Sequence, residues 1–136
     1  MKIIKVRSIV LVDLIEFLEN RDYIVDEVSE NILSANKSGE MTVYISLIDD
    51  VMYFYVDLGN ITEIADKDLY FKILDLNTEI LPVSIGIDTT NEKNNRLVIV
   101  ESREIDNLDD NELLYIFNAM EIATDKVAML LAEYLD

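Results

Sequence analysis

Residues 109–134 carry one uninterrupted helical pattern. Leu113, Ile116, Met120, Ala123, Val127, Leu130 and Tyr134 follow one another at spacings of 3, 4, 3, 4, 3 and 4 residues, which sets them along one face of an α-helix. Asp109 stands at the N-cap position and Glu112 three residues on completes a capping box, with Asp in place of the usual Ser or Thr. At about 1.5 Å per residue this helix is about 37–40 Å long, enough to cross a sheet of about five or six strands. So long an apolar stripe must be covered, either by the chain's own sheet or by a second helix in a coiled coil. A chain of this size needs a lid for its own core, which favours the sheet. Leu114, Phe117 and Leu131 widen the stripe and are the helix residues left for contact with a second subunit.

The rest of the chain supplies that sheet. Ser8 can cap a first helix with Leu11, Leu14, Ile15 and Leu18 inward and Asp13, Glu16 and Glu19 outward. Asn20 reads as its left-handed stop, within the turn Asn20-Arg21-Asp22. Tyr23-Ile24-Val25 opens a β-branched and aromatic run, a second short strand falls near Ile32-Leu33, and Lys37-Ser38-Gly39-Glu40 reads as a turn. Residues 41–47 alternate, with Met41, Val43, Ile45 and Leu47 on one face and Thr42, Tyr44 and Ser46 on the other. Asp49-Asp50 joins them in a hairpin to residues 51–56. That second strand is apolar on both faces, as a central strand covered on each side would be, unless Tyr53 and Tyr55 face a partner.

Asp66 caps a helix running to about residue 76, with Leu69, Ile73 and Leu76 buried and Tyr70 or Leu74 beside them. Pro82 opens a strand over 83–87, residues 89–95 form a polar loop, and residues 96–100 return as the last strand. The order is α-β-β-β-β-α-β-β-α. Strands gathered in hairpins imply an α+β protein, an antiparallel sheet of five to six strands flanked by helices, with residues 1–136 as a single domain.

Composition narrows the chemistry. The chain has no histidine and no cysteine, which removes the imidazole base, the Ser-His-Asp triad, the thiolate nucleophile, the disulfide and the usual nitrogen and sulfur ligands of zinc. Asp and Glu number 28 against 11 Lys and Arg, a net charge of −17. Such a field repels phosphate backbones, so a nucleic-acid partner is not expected, whereas basic protein partners are attracted. Lys2, Lys5 and Arg7 precede an apolar run, but Asp13 and Glu16 interrupt it and no small-residue cleavage site follows. No apolar stretch reaches the roughly 18–20 residues of a membrane span. A cytoplasmic protein with no integral membrane segment is expected, and three cations without an amphipathic anchor do not make a lipid-binding site.

Two acid clusters invite a catalytic or metal reading. Asp49, Asp50 and Asp57 flank the central hairpin, and paired carboxylates can bind Mg²⁺ or share acid and base roles. With no histidine and no glycine-rich phosphate loop beside them, a solvated turn and a strand end explain them better. The run 106–112 alternates oxygen-bearing residues but lacks the glycine at position six and the glutamate at position twelve of a calcium loop, and its acids sit where a helix N-terminus favours negative charge. No catalytic residue, metal site or cofactor is assigned.

The second half resembles the YjfI-like family of small bacterial proteins. The likeness rests on Leu81-Pro82-Val83-Ser84-Ile85-Gly86-Ile87, on the strand Leu97-Val98-Ile99-Val100, and on an acidic connection into the long helix ending Leu130-Leu131-Ala132-Glu133-Tyr134-Leu135. Over residues 40–136 the elements fall in matching order. The resemblance implies a PspA-like membrane-stress protein as partner. The element order is also similar to the type III secretion chaperone-like fold, which implies a homodimer and an extended client segment.

The expected function is therefore that of a non-enzymatic acidic protein-interaction module, with a PspA-like protein as partner. A secretion-type chaperone holding an unfolded client is the alternative, and a Mg²⁺- or Ca²⁺-dependent enzyme the remote one. Tyr44, Tyr53, Tyr55 and Phe117 are candidate contacts, since large aromatics carry much of an interface's energy, together with Leu114 and Leu131 on the helix.

Overall fold

The computed structural model describes residues 11–106 and 108–135. Its elements are α1 (Leu11–Glu19), β1 (Ile24–Ser29), β2 (Ile32–Asn36), β3 (Val43–Ile48), β4 (Val51–Asn60), α2 (Lys67–Leu76) continued by a 3₁₀ turn (Asn77–Glu79), β5 (Ser84–Asp88), β6 (Arg96–Glu104) and α3 (Asp110–Ala132). This is the expected α+β order. Ser8, Lys2, Lys5, Arg7 and Asn107 lie outside the described residues.

All six strands join one antiparallel sheet in the order β1-β2-β3-β4-β6-β5. The first four strands follow one another as hairpins. β6 then inserts between β4 and β5, so the last strand is interior and β5 forms an edge. The first two strands, whose pairing the sequence leaves open, run Ile24 against Asn36 to Ser29 against Ile32.

Local chemistry sets the turns. Ile48 pairs with Val51, leaving Asp49 and Asp50 alone at the hairpin tip, with φ of 49° and 63°. Both central residues are left-handed, as a type I′ turn requires, and side chains other than Asn, Asp and Gly resist that conformation. Replacing the two aspartates by an Asn-Gly pair (Asp49→Asn with Asp50→Gly) is therefore expected to stabilise the protein by about 1 kcal/mol, read as a higher urea midpoint at unchanged m-value. At the end of α1 the left-handed residue is Asp22 (φ 69°), not Asn20. Tyr23 N–H donates to the Leu18 carbonyl at 3.1 Å and Asp22 N–H to the Glu19 carbonyl at 3.2 Å, the paired bonds of a Schellman stop. The chain keeps its right-handed course past Asn20, whose own N–H still bonds the Glu16 carbonyl.

The core lies on one side of the sheet. Val43 and Ile45 of β3, Met52, Phe54 and Val56 of β4, and Leu97 and Ile99 of β6 pack with buried residues of α1, α2 and α3 in a single cluster. Leu113, Ile116, Met120, Ala123, Val127 and Leu130 are all buried and Tyr134 half-buried, so the stripe is spent within this chain. Thr124, buried among them, donates its hydroxyl to the Met120 carbonyl at 2.7 Å, which satisfies the group locally. The capping expectations also hold: Asp109 Oδ1 accepts from Glu112 N–H at 2.9 Å and Asp66 Oδ1 from Leu69 N–H at 2.8 Å.

The expectation of a β4 covered on both faces needs correcting. Met52, Phe54 and Val56 are buried, but Tyr53 is 44% exposed and Val51 and Tyr55 are half-buried. All the buried helix residues join the core on the Phe54 side. In α2, Leu69 and Ile73 are buried while Tyr70, Phe71 and Leu74 are exposed. A polar clasp fixes α2 to the end of α3: Lys72 reaches Asp68 at 3.3 Å and Glu133 at 3.4 Å, and the Tyr134 hydroxyl donates to Asp68.

Candidate functional site

Residues directly opposite one another in adjacent strands share a face. Tyr44 pairs with Tyr55, Ser46 with Tyr53 and Ile48 with Val51 across β3 and β4. Tyr55 in turn pairs with Val100 and Tyr53 with Ser102 across β4 and β6. Among the described residues no helix covers this side of the sheet, which carries one contiguous field of tyrosines and aliphatics over β3, β4 and β6, with Val98, opposite Asp57, buried at its margin. Tyr44, Ile48, Tyr53 and Val100 are all exposed, which is unusual for large apolar groups lying side by side.

The field is organised. The Tyr44 and Tyr55 rings meet edge to face with centroids 6.5 Å apart. Burial, followed by the nearby charges of Asp57 and Asp88, pushes the Tyr55 hydroxyl above its ordinary pKa, so it stays a neutral donor and acceptor at physiological pH. At one end Arg96 grips Asp57, its Nε 3.1 Å from both carboxylate oxygens and its Nη2 2.9 Å from Oδ1. Gly59 N–H also donates to that carboxylate at 2.9 Å. Gly59 has φ of 117°, a conformation side chains rarely adopt, at the bulge that shifts the register so that Asp57 stands opposite Val98 and Asn60 opposite Arg96. At the other end stand Asp49, Asp50 and Glu104, the last opposite Val51.

Tyr44, Tyr53 and Tyr55 are thus brought together, whereas the helix candidates are not part of the same surface. Leu114, Phe117 and Leu131 lie on α3, across the sheet. Phe117 is corrected from contact to core: it is buried, with its ring centroid 5.3 Å from that of Tyr23 and 5.8 Å from that of Phe54. Leu114 and Leu131 are half-buried against the core. Sequence reasoning missed Ile48, Val51 and Val100. Alternation would place Val100 outward, but the unbroken run Leu97-Val98-Ile99-Val100 conceals its parity.

The acids do not assemble. Asp49 and Asp50 sit at the hairpin tip, and Asp57 is six residues along β4, about 20 Å away at the rise of a strand. A second apolar surface lies beside β5, where Tyr70 and Leu74 of α2, both exposed, line a cleft with Ile85, Gly86 and Ile87. The β5 edge is partly closed: Ile85 N–H donates to Asn77 Oδ1 at 2.7 Å, and Asn77 Nδ2 donates to the Ile85 carbonyl at 3.4 Å. The amide of Asn77 stands in for a neighbouring strand's peptide group. Among the described residues no helix is long and apolar enough to cross a membrane.

No protein-family model and no curated protein matches the sequence. The fold, however, is similar to solved structures. One is a chain of the heterodimeric complex ExoU-SpcU from the type III secretion system of Pseudomonas aeruginosa, at 14% identity and TM-score 0.68 over 85% of this chain and 94% of that one. Another is YbjN from E. coli, at 15% identity and TM-score 0.68 over 88% and 91%. At such identities the likeness shows the fold alone: an antiparallel α+β sheet with flanking helices, secretion-chaperone-like.

Proposed function

We propose that this protein is a cytoplasmic, non-enzymatic interaction module that holds an apolar, extended segment of a partner protein on the open face of its sheet. The observation that carries the reading is the exposed field of Tyr44, Ile48, Tyr53 and Val100, built on a rigid sheet whose opposite face is the core. Tyrosines suit this use because they bury large area at low conformational cost and keep a polar tip for hydrogen bonding. Asp49, Asp50 and Glu104 at the border, within a chain of net charge −17, favour a segment that carries lysine or arginine beside its apolar residues.

The similarity to a chain of a heterodimeric type III secretion complex supports a specialisation of this reading, a secretion-type chaperone holding an unfolded client. The YjfI-like resemblance implies instead a folded, helical PspA-like partner, which a flat tyrosine field suits less well than an extended strand.

The test is capture of the partner from the native cytoplasm, followed by titration of the identified protein against wild type and a Tyr44→Ser/Tyr53→Ser variant. Both positions are exposed, so the variant is expected to fold normally and to bind at least about a hundredfold more weakly, as paired loss of two interface aromatics implies. Equal affinity of the variant overturns the assignment to this face. The captured protein itself distinguishes an unfolded client from a helical PspA-like one.

A further inference from the structure

We propose that the cleft between the end of α1 and the first half of α3 binds the C-terminal residue of a polypeptide, its apolar side chain on the cleft floor and its carboxylate at Arg21. This site is on the helical side of the molecule and does not depend on the reading of the sheet face. The cleft has a volume of about 140 Å³, the size of one aliphatic side chain. Phe17, Leu18, Leu114 and Phe117 line it, and all but Leu114 are buried.

Two cations line the cleft beside one acid, Glu121, on a chain that is otherwise strongly acidic. The cations are Arg21 and Lys37. The Arg21 guanidinium carbon lies 3.8 Å from the Phe17 ring centroid, and its Nη1 donates to the Phe17 carbonyl at 3.0 Å. Stacking and that one hydrogen bond fix the planar group while leaving most of its five donors for a ligand, in the fork that matches a carboxylate. Lys37 is engaged otherwise, 4.0 Å from Glu121, and Glu121 also accepts the Tyr23 hydroxyl at 3.1 Å. The local acid is thereby satisfied. Among the described residues Arg21, like Lys67 and Lys93, takes part in no ion pair, and of these three it alone lines the cleft. An apolar pocket of that volume, with a positioned guanidinium in its lining, suits an apolar residue whose carboxylate is adjacent. Asn118 lines the same cleft, and its amide can pair with a peptide group, which distinguishes a chain end from a free aliphatic acid.

The probe is N-acetyl-L-leucine, titrated into isotope-labelled full-length protein and followed by NMR. Saturable shifts are expected at the methyl groups of Leu18 and Leu114 and at the Arg21 side chain. N-acetyl-L-leucinamide, which lacks the charge, is expected to bind at least about tenfold more weakly, as loss of a charge-assisted hydrogen bond implies. Arg21→Gln should bring the acid down to the affinity of the amide, while Tyr44→Ser/Tyr53→Ser should leave it unchanged. The acid–amide comparison on the wild-type protein decides the matter even where Arg21→Gln does not fold. Equal binding of acid and amide, or shifts that bypass Leu18 and Leu114, overturns the site. Equal binding of 4-methylpentanoate overturns the chain end as its ligand.

Discussion

Phe117→Ala is expected to lower the unfolding free energy by about 3–5 kcal/mol, the usual cost of truncating a buried aromatic. The ring is 3% exposed and touches both layers of the core, Tyr23 following α1 and Phe54 on β4. Alanine leaves a cavity that neither neighbour can fill, since Tyr23 is held through its hydroxyl by Glu121 and Phe54 by its strand. Urea unfolding followed by far-UV circular dichroism measures the change. A loss below about 0.5 kcal/mol, the range of ordinary surface substitutions, would mean that the ring is exposed and free to touch a partner.

Asn77→Ala should cost about 2 kcal/mol, because it strips hydrogen bonds from both backbone groups of a buried residue. Ile85 is 7% exposed, so water reaches its peptide groups only from the edge. A second consequence is expected from the same change: with its amide plug gone, β5 presents unpaired edge groups beside the exposed Tyr70 and Leu74, and the protein should self-associate as concentration rises. Asn77→Asp separates the two bonds, since a carboxylate accepts from Ile85 N–H but cannot donate to its carbonyl. Analytical ultracentrifugation with chemical denaturation reads both effects. An alanine variant as stable and as monodisperse as its parent would show that the edge needs no guard.

The sequence disclosed what depends on periodicity and hid what depends on neighbours. The stripe from Leu113 to Tyr134 and the caps at Asp66 and Asp109 were legible because helix geometry and orphan N–H groups are local facts. Asp49-Asp50 was legible as a turn for the same reason. The insertion of β6 between β4 and β5 was not, since no local rule fixes which strand a distant segment joins. Nor was the open face of β4. Tyr53 and Tyr55 are apolar enough for burial and polar enough for solvent, so composition admits either face, and only the placing of the described helices on the Phe54 side decides it. Tyr44, Tyr53 and Tyr55 emerged as one surface, while Phe117 was misplaced because a helix residue beside a stripe can be its margin or its centre. The closing of the β5 edge by Asn77 was invisible, because nothing in an isolated asparagine shows which backbone it will meet.

The one-sided sheet gives β4 two separate alphabets. Met52, Phe54 and Val56 spell the fold, and Val51, Tyr53 and Tyr55, interleaved with them, spell whatever lies outside. Substitutions at the odd positions leave core volume untouched, so, if the proposed use of this face holds, partner choice can drift by single residues without passing through an unstable intermediate. Related chains built on this fold are then expected to agree at the even positions of β4 and diverge at the odd ones.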